Sequence, residues 1–263
     1  MKHLEFETLD EVLAHMNSHS GYTYGVTKPL DLRHYDKPLP TTITETSDLT
    51  LMEYNFELPN SIVKTGNLNL FFYKFKLPNS LIEIGEPCVI HCYDFELPDS
   101  IQIIDKFLPV HYKHRLPNSV KQINHLDLSH YKYSLPNSLE KIGFLQLLTY
   151  NLPLPNSIKE IETIAFSGYK LPLPNSIEKI NNIHLIRYNL DLPTLIKDNY
   201  IIETVGNDNC HICFDKTSKQ FTIDAARGTA EQILEKIETN PIRSVSNQEI
   251  YNFINRCLTA TSN

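Results

Sequence analysis

The sequence predicts a repeat solenoid made mainly of β-structure, with one short parallel strand in each coil. Nine Leu-Pro pairs recur at a spacing of 19 residues except for one step of 20, and a tyrosine stands five residues before the proline of each of these pairs. Apolar residues follow every proline at positions that one repeat could not cover alone, so stacked repeats must supply the core. The nine prolines are Pro40, Pro59, Pro78, Pro98, Pro117, Pro136, Pro155, Pro174 and Pro193.

One repeat, "YNFELPNSI" at 54–62, shows the expected role of each letter. Tyr54, Phe56 and Leu58 alternate with polar residues, which is the period of a strand with one buried face. Pro59 ends this predicted strand because it has no amide hydrogen to donate, and the Asn-Ser pair after it favours a turn. Ile62 then begins the next inner wall of the coil. Further apolar pairs, such as Leu68 and Leu70, predict another inward-facing segment before the next tyrosine.

The stretch Leu154–Ile177, "LPNSIKEIETIAFSGYKLPLPNSI", resembles the BspA-like leucine-rich repeats, and the Leu-Pro-x-Ser-Leu phrase also resembles FNIP-type repeats. Ile84-Gly85 and Ile142-Gly143 match the Ile-Gly step of the BspA-like unit, and Ala165-Phe166 matches its Ala-Phe pair. Tyr169 stands where that family usually has cysteine, and the unit of 19 residues is shorter than the family's. The resemblance covers roughly residues 28–200 and implies a curved solenoid without indicating a partner.

The two ends of the chain depart from the repeat and predict three parts: an N-terminal cap at 1–27, the solenoid at 28–199, and a C-terminal cap or small domain at 200–263. Thr8 and Glu11 have the spacing of a capping box and predict a short amphipathic helix over residues 8–19. In the tail, "YIIETV", "CHICFD" and "KQFTID" predict short strands, and Thr229 and Ser246 predict the starts of two helices. The tail is therefore expected to be an α+β module, either a cap or a domain with its own role.

Composition limits the function classes. The net charge is −7 with both signs spread along the chain, which argues against nucleic-acid binding and against a basic membrane-binding tail. The N-terminus lacks the apolar segment of a classical signal peptide, and five cysteines do not make a disulfide framework. The sequence therefore predicts a cytoplasmic protein without membrane or nucleic-acid partners; the alternative is export, including translocation into a host cell, by a route without a classical signal.

Two groups of residues contain side chains that could bind a metal ion, and for each group we prefer the interpretation without a metal. Cys210 and Cys213 form the only Cys-x-x-Cys pair, and a structural zinc site needs four ligands. Cys92, His111 and His130 precede the tyrosine in three successive repeats, but the other repeats do not keep this chemistry. We therefore predict no metal site, no cofactor and no catalytic residue.

The two x positions of the Tyr-x-apolar-x-Leu segment vary from repeat to repeat, and their side chains are expected to point outward. They predict the binding face of a non-catalytic interaction module that takes a protein partner with an acidic patch and is itself a monomer. Alternatives are a merely solvated face, an architectural repeat protein, and an effector or enzyme whose repeats recruit substrate while residues 200–263 carry the activity. The predicted partner-binding residues are Lys74, Lys76, Glu96, Lys113, Arg115 and Lys132.

Overall fold

The computed structural model describes residues 2–86, 88–90, 92–108, 112–167, 169–186, 194–205, 210–223, 226–241 and 245–260. The repeats form parallel β-solenoid turns, about nine in number and about 19 residues apart, as the sequence predicts. Two compact units make up the chain, Met1–Ile142 and Gly143–Asn263. The predicted boundaries at 27/28 and 199/200 remain predictions. Among the described residues, no helix has the length and apolar character needed to cross a bilayer.

The first unit begins with a strand, a helix and a strand, and continues as short parallel strands. The helix α1 has the predicted capping box: the Thr8 side chain accepts from the amide of Glu11, and the Glu11 side chain accepts from the amide of Thr8. The sequence pattern did not predict the flanking strands β1 and β2. The elements are β1 Lys2–Phe6, α1 Leu9–Met16, β2 Tyr22–Val26, β3 Leu30–Asp31, β4 Ile43–Thr46, β5 Leu49–Thr50, β6 Lys64–Thr65, β7 Leu68–Asn69, β8 Glu83–Ile84, β9 Cys88–Val89, β10 Ile103–Phe107, β11 Gln122–Asp127 and β12 Lys141–Leu147, the last of which runs into the second unit.

Parallel pairing in this unit follows the repeat. β1 pairs with β2, which continues through β4, β6, β8 and β10 to β11, while β3, β5, β7 and β9 form a second parallel row that also reaches β10. Ile104 lies opposite Ile123, a register of one repeat. The coils before β10 therefore carry two short strands each, and one continuous strand per coil begins at β10.

The second unit continues the repeat and then changes to antiparallel structure. β13 and β14 pair in parallel, and β15 to β18 form an antiparallel meander that packs against α3 and α4. The helices start after Thr229 and Ser246 as predicted, whereas α2 and β18 were not predicted. The elements are β13 Glu160–Ser167, β14 Lys179–Ile186, α2 Thr194–Asn199, β15 Tyr200–Val205, β16 Cys210–Asp215, β17 Gln220–Ile223, β18 Ala226–Gly228, α3 Ala230–Thr239 and α4 Asn247–Ala260.

The predicted position of the repeat strand is wrong. Those Tyr-x-apolar-x-Leu segments that the structure describes, such as residues 54–58, contain no strand, and the strands lie in the stretch between the Pro-Asn-Ser turn and the next tyrosine. The amide of Leu58 donates not to a backbone carbonyl but to the hydroxyl of Tyr73 in the next coil, at 3.1 Å. The segment is extended, which gives the period of two, but it joins no backbone ladder.

A tyrosine hydroxyl in one coil bonds to the backbone of the coil before it, and this contact repeats. The Tyr73 hydroxyl accepts from the Leu58 amide and donates to the Phe56 carbonyl at 3.0 Å. We call the set of such contacts the tyrosine ladder. Its other amide bonds join Leu39 to Tyr54, Leu77 to Tyr93, Leu97 to Tyr112 and Leu116 to Tyr131, at 2.7–3.0 Å.

The serine of the Pro-Asn-Ser turn makes a second connection between coils. Ser61 Oγ donates to the Ile43 carbonyl at 2.6 Å, 18 residues earlier, and the turn itself is closed by the Ile62 amide donating to the Pro59 carbonyl. The same serine bond recurs in Ser80, Ser100, Ser119, Ser138 and Ser176. The fixed Ser thus satisfies the backbone of the preceding coil rather than only its own turn.

Removing one ladder hydroxyl is expected to destabilise the protein. In Tyr73→Phe, the Leu58 amide and the Phe56 carbonyl lose their partner in a site where Tyr73 is 2% exposed. An unsatisfied buried polar group costs about 1–3 kcal/mol, so the free energy of unfolding from urea titration should fall by about that amount. Tyr133→Phe is the matched control, because its hydroxyl bonds the exposed Lys113 carbonyl, which water can replace. Equal losses in both variants would contradict the role of the ladder.

The ladder also predicts how stability depends on alkaline pH. Burial raises the pKa of Tyr54 and of Tyr93 to about 12, from an ordinary value of 10.0. Because the folded state holds these protons more tightly than the unfolded state, their contribution is complete below about pH 10 and is lost as pH rises from 10 through about 12. Phenolate absorbance near 295 nm should therefore contain a delayed component that rises together with the loss of circular dichroism. Full ionisation of all tyrosines before any loss of structure would contradict this expectation.

Candidate functional site

The Tyr-x-apolar-x-Leu segments of the first unit place a row of side chains on the surface. Their tyrosine and leucine are buried, and the ladder holds each segment against its neighbour. The remaining three positions of each segment are at least partly exposed. We call this surface the ridge; its segments are 54–58, 73–77, 93–97, 112–116 and 131–135.

Aromatic rings run along the middle of the ridge. The central residue of each segment is half-buried rather than part of the core, which corrects the expectation for Phe56. Its ring centroid lies 5.6–5.7 Å from the ring of the buried tyrosine in the same segment, so the central rings are held in equivalent positions. The central column is Phe56, Phe75, Phe95, His114 and Tyr133.

Polar and charged residues border the central column on both sides. All of them are exposed, including each of the six residues predicted to bind a partner. The structure therefore brings Lys74, Lys76, Glu96, Lys113, Arg115 and Lys132 together on one ridge, although on extended segments and not on strands; their binding role stays a prediction. The two bordering columns are Asn55, Lys74, Asp94, Lys113, Lys132 and Glu57, Lys76, Glu96, Arg115, Ser134.

The sign of the charge alternates from one segment to the next. Glu57 makes the first segment negative, Lys74 and Lys76 make the second positive, and Asp94 and Glu96 make the third negative. The fourth and fifth segments are both positive, through Lys113, Arg115 and Lys132. The fourth and fifth segments are thus the one place on the ridge where neighbouring segments carry the same sign.

Ion pairs within the ridge are long and open to solvent. Lys113 Nζ lies 3.6 Å from Asp94 Oδ1, with side chains 74% and 78% exposed. His114 Nδ1 lies 3.9 Å from Glu96 Oε1. Such exposed pairs contribute about 0–1 kcal/mol, so these charges can change partners at little cost.

Backbone strain borders the ridge. Glu53, Phe72 and Cys92, each just before the tyrosine of its segment, have φ of 63°, 56° and 57°, the left-handed region that glycine favours. The turn is closed by the amide of the tyrosine, as in Tyr54 to Leu51 at 3.1 Å. Phe72 is also 54% exposed, and it lies beside Lys74 at the edge of a surface depression of about 690 Å³. Strain and an exposed aromatic ring together single out this edge of the ridge.

Neither metal constellation considered from the sequence has all of its side chains among the described ones. Of Cys92, His111 and His130, His111 lies outside the described residues, and the described residues contain no group of three or more potential ligands. The Cys-x-x-Cys segment lies in β16, where Ile212, Cys213 and Phe214 are all buried. Burial raises the pKa of the Cys88 thiol to about 12 and that of Cys257 to about 11, which disfavours the nucleophilic thiolate.

A second depression, of about 530 Å³, lies in the second unit and was not foreseen. Its lining mixes apolar side chains with charged ones of both signs, namely Glu162, Glu178, Lys179, Asp215 and Arg227. The nearby Tyr200 hydroxyl donates to the Ile180 carbonyl, and burial raises its pKa. These five residues come from four strands, β13, β14, β16 and β18, and from the position just before β14. They share no sequence motif, so no sequence signal could have grouped them. An activity of residues 200–263 remains a prediction.

Comparison with protein-family models, with curated proteins and with solved structures gives no significant match.

The positive φ of Glu53, Phe72 and Cys92 predicts a stabilising substitution. Glu53→Gly should raise the free energy of unfolding by about 0.5–1 kcal/mol, because glycine adopts a positive φ without the steric cost of a side chain. Asn55→Gly, two residues further on the same exposed edge, is the control, since Asn55 is not among the residues with positive φ and glycine there should only destabilise. The measurement is urea unfolding of both variants beside the parent. A loss of stability in Glu53→Gly as large as in Asn55→Gly would contradict the strain at this position.

Proposed function

We propose that this protein is a non-catalytic interaction module that binds a protein partner through the ridge. The observation that carries the proposal is the composition of this surface: a column of half-buried aromatic rings between two exposed columns rich in charge. Partly exposed aromatic rings and arginine supply most of the binding energy in protein interfaces, and a charged rim supplies specificity. The tyrosine ladder holds the backbone of the ridge from below, so little order has to be gained on binding.

The partner is proposed to carry an acidic patch. The positive segments 112–116 and 131–135 are neighbours, and Lys113, Arg115 and Lys132 are all exposed. An acidic surface would therefore meet three cations from two adjacent segments. In keeping with the resemblance in the repeat sequence, we further propose that the chain is a short-repeat relative of the BspA-like or FNIP-type proteins.

Charge reversal tests this function. Lys113→Glu, Arg115→Glu and Lys132→Glu together should weaken capture of the partner at least about tenfold and reduce its dependence on salt. The matched control carries Lys28→Glu, Lys64→Glu and Lys121→Glu, three exposed residues outside the ridge whose reversal changes the net charge equally. Binding is measured by affinity capture from lysate followed by titration of the identified partner. If the ridge variant and the control bind with equal affinity, the ridge is not the binding surface.

A further inference from the structure

The alternating charge of the ridge is complementary to itself. A two-fold axis that lies in the plane of the ridge and runs parallel to its segments brings a second copy face to face with the first. It reverses the order of the segments and keeps each bordering column opposite itself. With the axis between segments 73–77 and 93–97, every positive segment among the first four faces a negative one. We propose that the partner of the ridge is a second copy of this chain, bound antiparallel in this way; the inference rests on the proposed function and names the partner.

The contacts nearest the axis follow from this pairing of each column with itself. Lys74 faces Asp94 of the second copy, and Lys76 faces Glu96 of the second copy. Symmetry repeats both pairs, so four pairs of opposite charge surround the axis. Within the described residues, neither Lys74 nor Lys76 has a carboxylate within 4.0 Å, so both ammonium groups are available.

The centre of this arrangement is aromatic. The central column maps onto itself, so Phe75 faces Phe95 of the second copy on both sides of the axis. Each ring is already fixed by its buried tyrosine, at 5.7 Å from Tyr73 and 5.6 Å from Tyr93. Four half-buried rings enclosed by charge pairs reproduce the aromatic core and polar rim of a specific interface.

The outer contacts select the register. Arg115 faces Glu57 of the second copy, so the acidic patch proposed for the partner is supplied by the chain itself. Sliding the second copy by two segments would place Lys74 and Lys76 opposite the positive segment 131–135 of the other copy. Parallel stacking in register would oppose like charges in every segment. The antiparallel register about segments 73–77 and 93–97 is therefore the favoured one, and it closes as a symmetric dimer.

The size of the ridge predicts a weak dimer. The four facing segments, about 4.8 Å apart and each of five residues at about 3.3 Å, cover roughly 320 Å² on each copy. The total of roughly 640 Å² is below the 1,200–2,000 Å² of stable interfaces, so association should be transient and sensitive to salt.

Charge exchange between two variants tests the proposal. One variant, the acidic variant, carries Lys74→Glu and Lys76→Glu; the other, the basic variant, carries Asp94→Lys and Glu96→Lys. Each alone opposes like charges at the axis and should weaken self-association at least about tenfold in sedimentation equilibrium of the full chain. The two variants mixed should form a heterodimer with the affinity of the parent, because every reversed segment then meets its complement. The quadruple variant should likewise recover the homodimer.

Mixing the two variants distinguishes an effect of the substitutions on association from an effect on folding. Mixing leaves the charge repulsion within each chain unchanged, so recovered association comes only from contacts between chains. Association of the parent should also fall in about 1 M salt, where the screening length is about 3 Å. A parent that stays monomeric at low salt at the highest soluble concentration, or variants that fail to recover when mixed, would overturn the dimer. A monomeric parent that still captures another protein through Lys113, Arg115 and Lys132 would overturn the dimer while leaving the proposed function intact.

Discussion

The bond between a tyrosine hydroxyl and the backbone of the preceding coil is the constraint on which the ridge depends. Each hydroxyl has one hydrogen to donate and lone pairs to accept, so one side chain can satisfy both an amide and a carbonyl. At Tyr73 these are the Leu58 amide and the Phe56 carbonyl, both in the preceding coil. Phenylalanine would fill the same volume but leave both groups unpaired. The need for two hydrogen bonds from a large buried ring explains the tyrosine at positions 54, 73 and 131, where the hydroxyl bonds both an amide and a carbonyl of the preceding coil.

Because the hydroxyl replaces a backbone ladder, the segment beyond it is free to serve another purpose. The short strands and the serine bonds connect the coils on the other sides, as with Ser61 and the Ile43 carbonyl. The ridge segments therefore need only a buried tyrosine and leucine, and their three remaining positions can vary without cost to the core. A binding site requires side chains that can vary on a rigidly held backbone. The ridge meets this requirement, and its charged side chains follow an ordered pattern.

The sequence predicted the period, the burial of Tyr54 and Leu58, and the capped helices, because each depends on local pattern. It could not locate the strands, since a period of two reports an extended backbone and not the partner of its amides. Two-residue strands such as Lys64–Thr65 are too short to show any period. Phe56 was expected in the core because alternation tells which side a residue faces and not how completely that side is covered. The second depression gathers residues from distant strands, which no local pattern connects.

The alternating charge on the ridge can be explained within one chain, and it also determines how two chains fit together. Segments about 4.8 Å apart would repel if all carried one sign, so stacking itself favours alternation. A surface that alternates for this reason is complementary to its own reversed copy, and a long alternating row would pair equally well in many registers. The like-signed segments 112–116 and 131–135 interrupt the row at one end, so a copy that slides by two segments meets like charge. Without these like-signed segments, copies could associate in many registers. With them, one register is favoured, and association ends at a symmetric dimer.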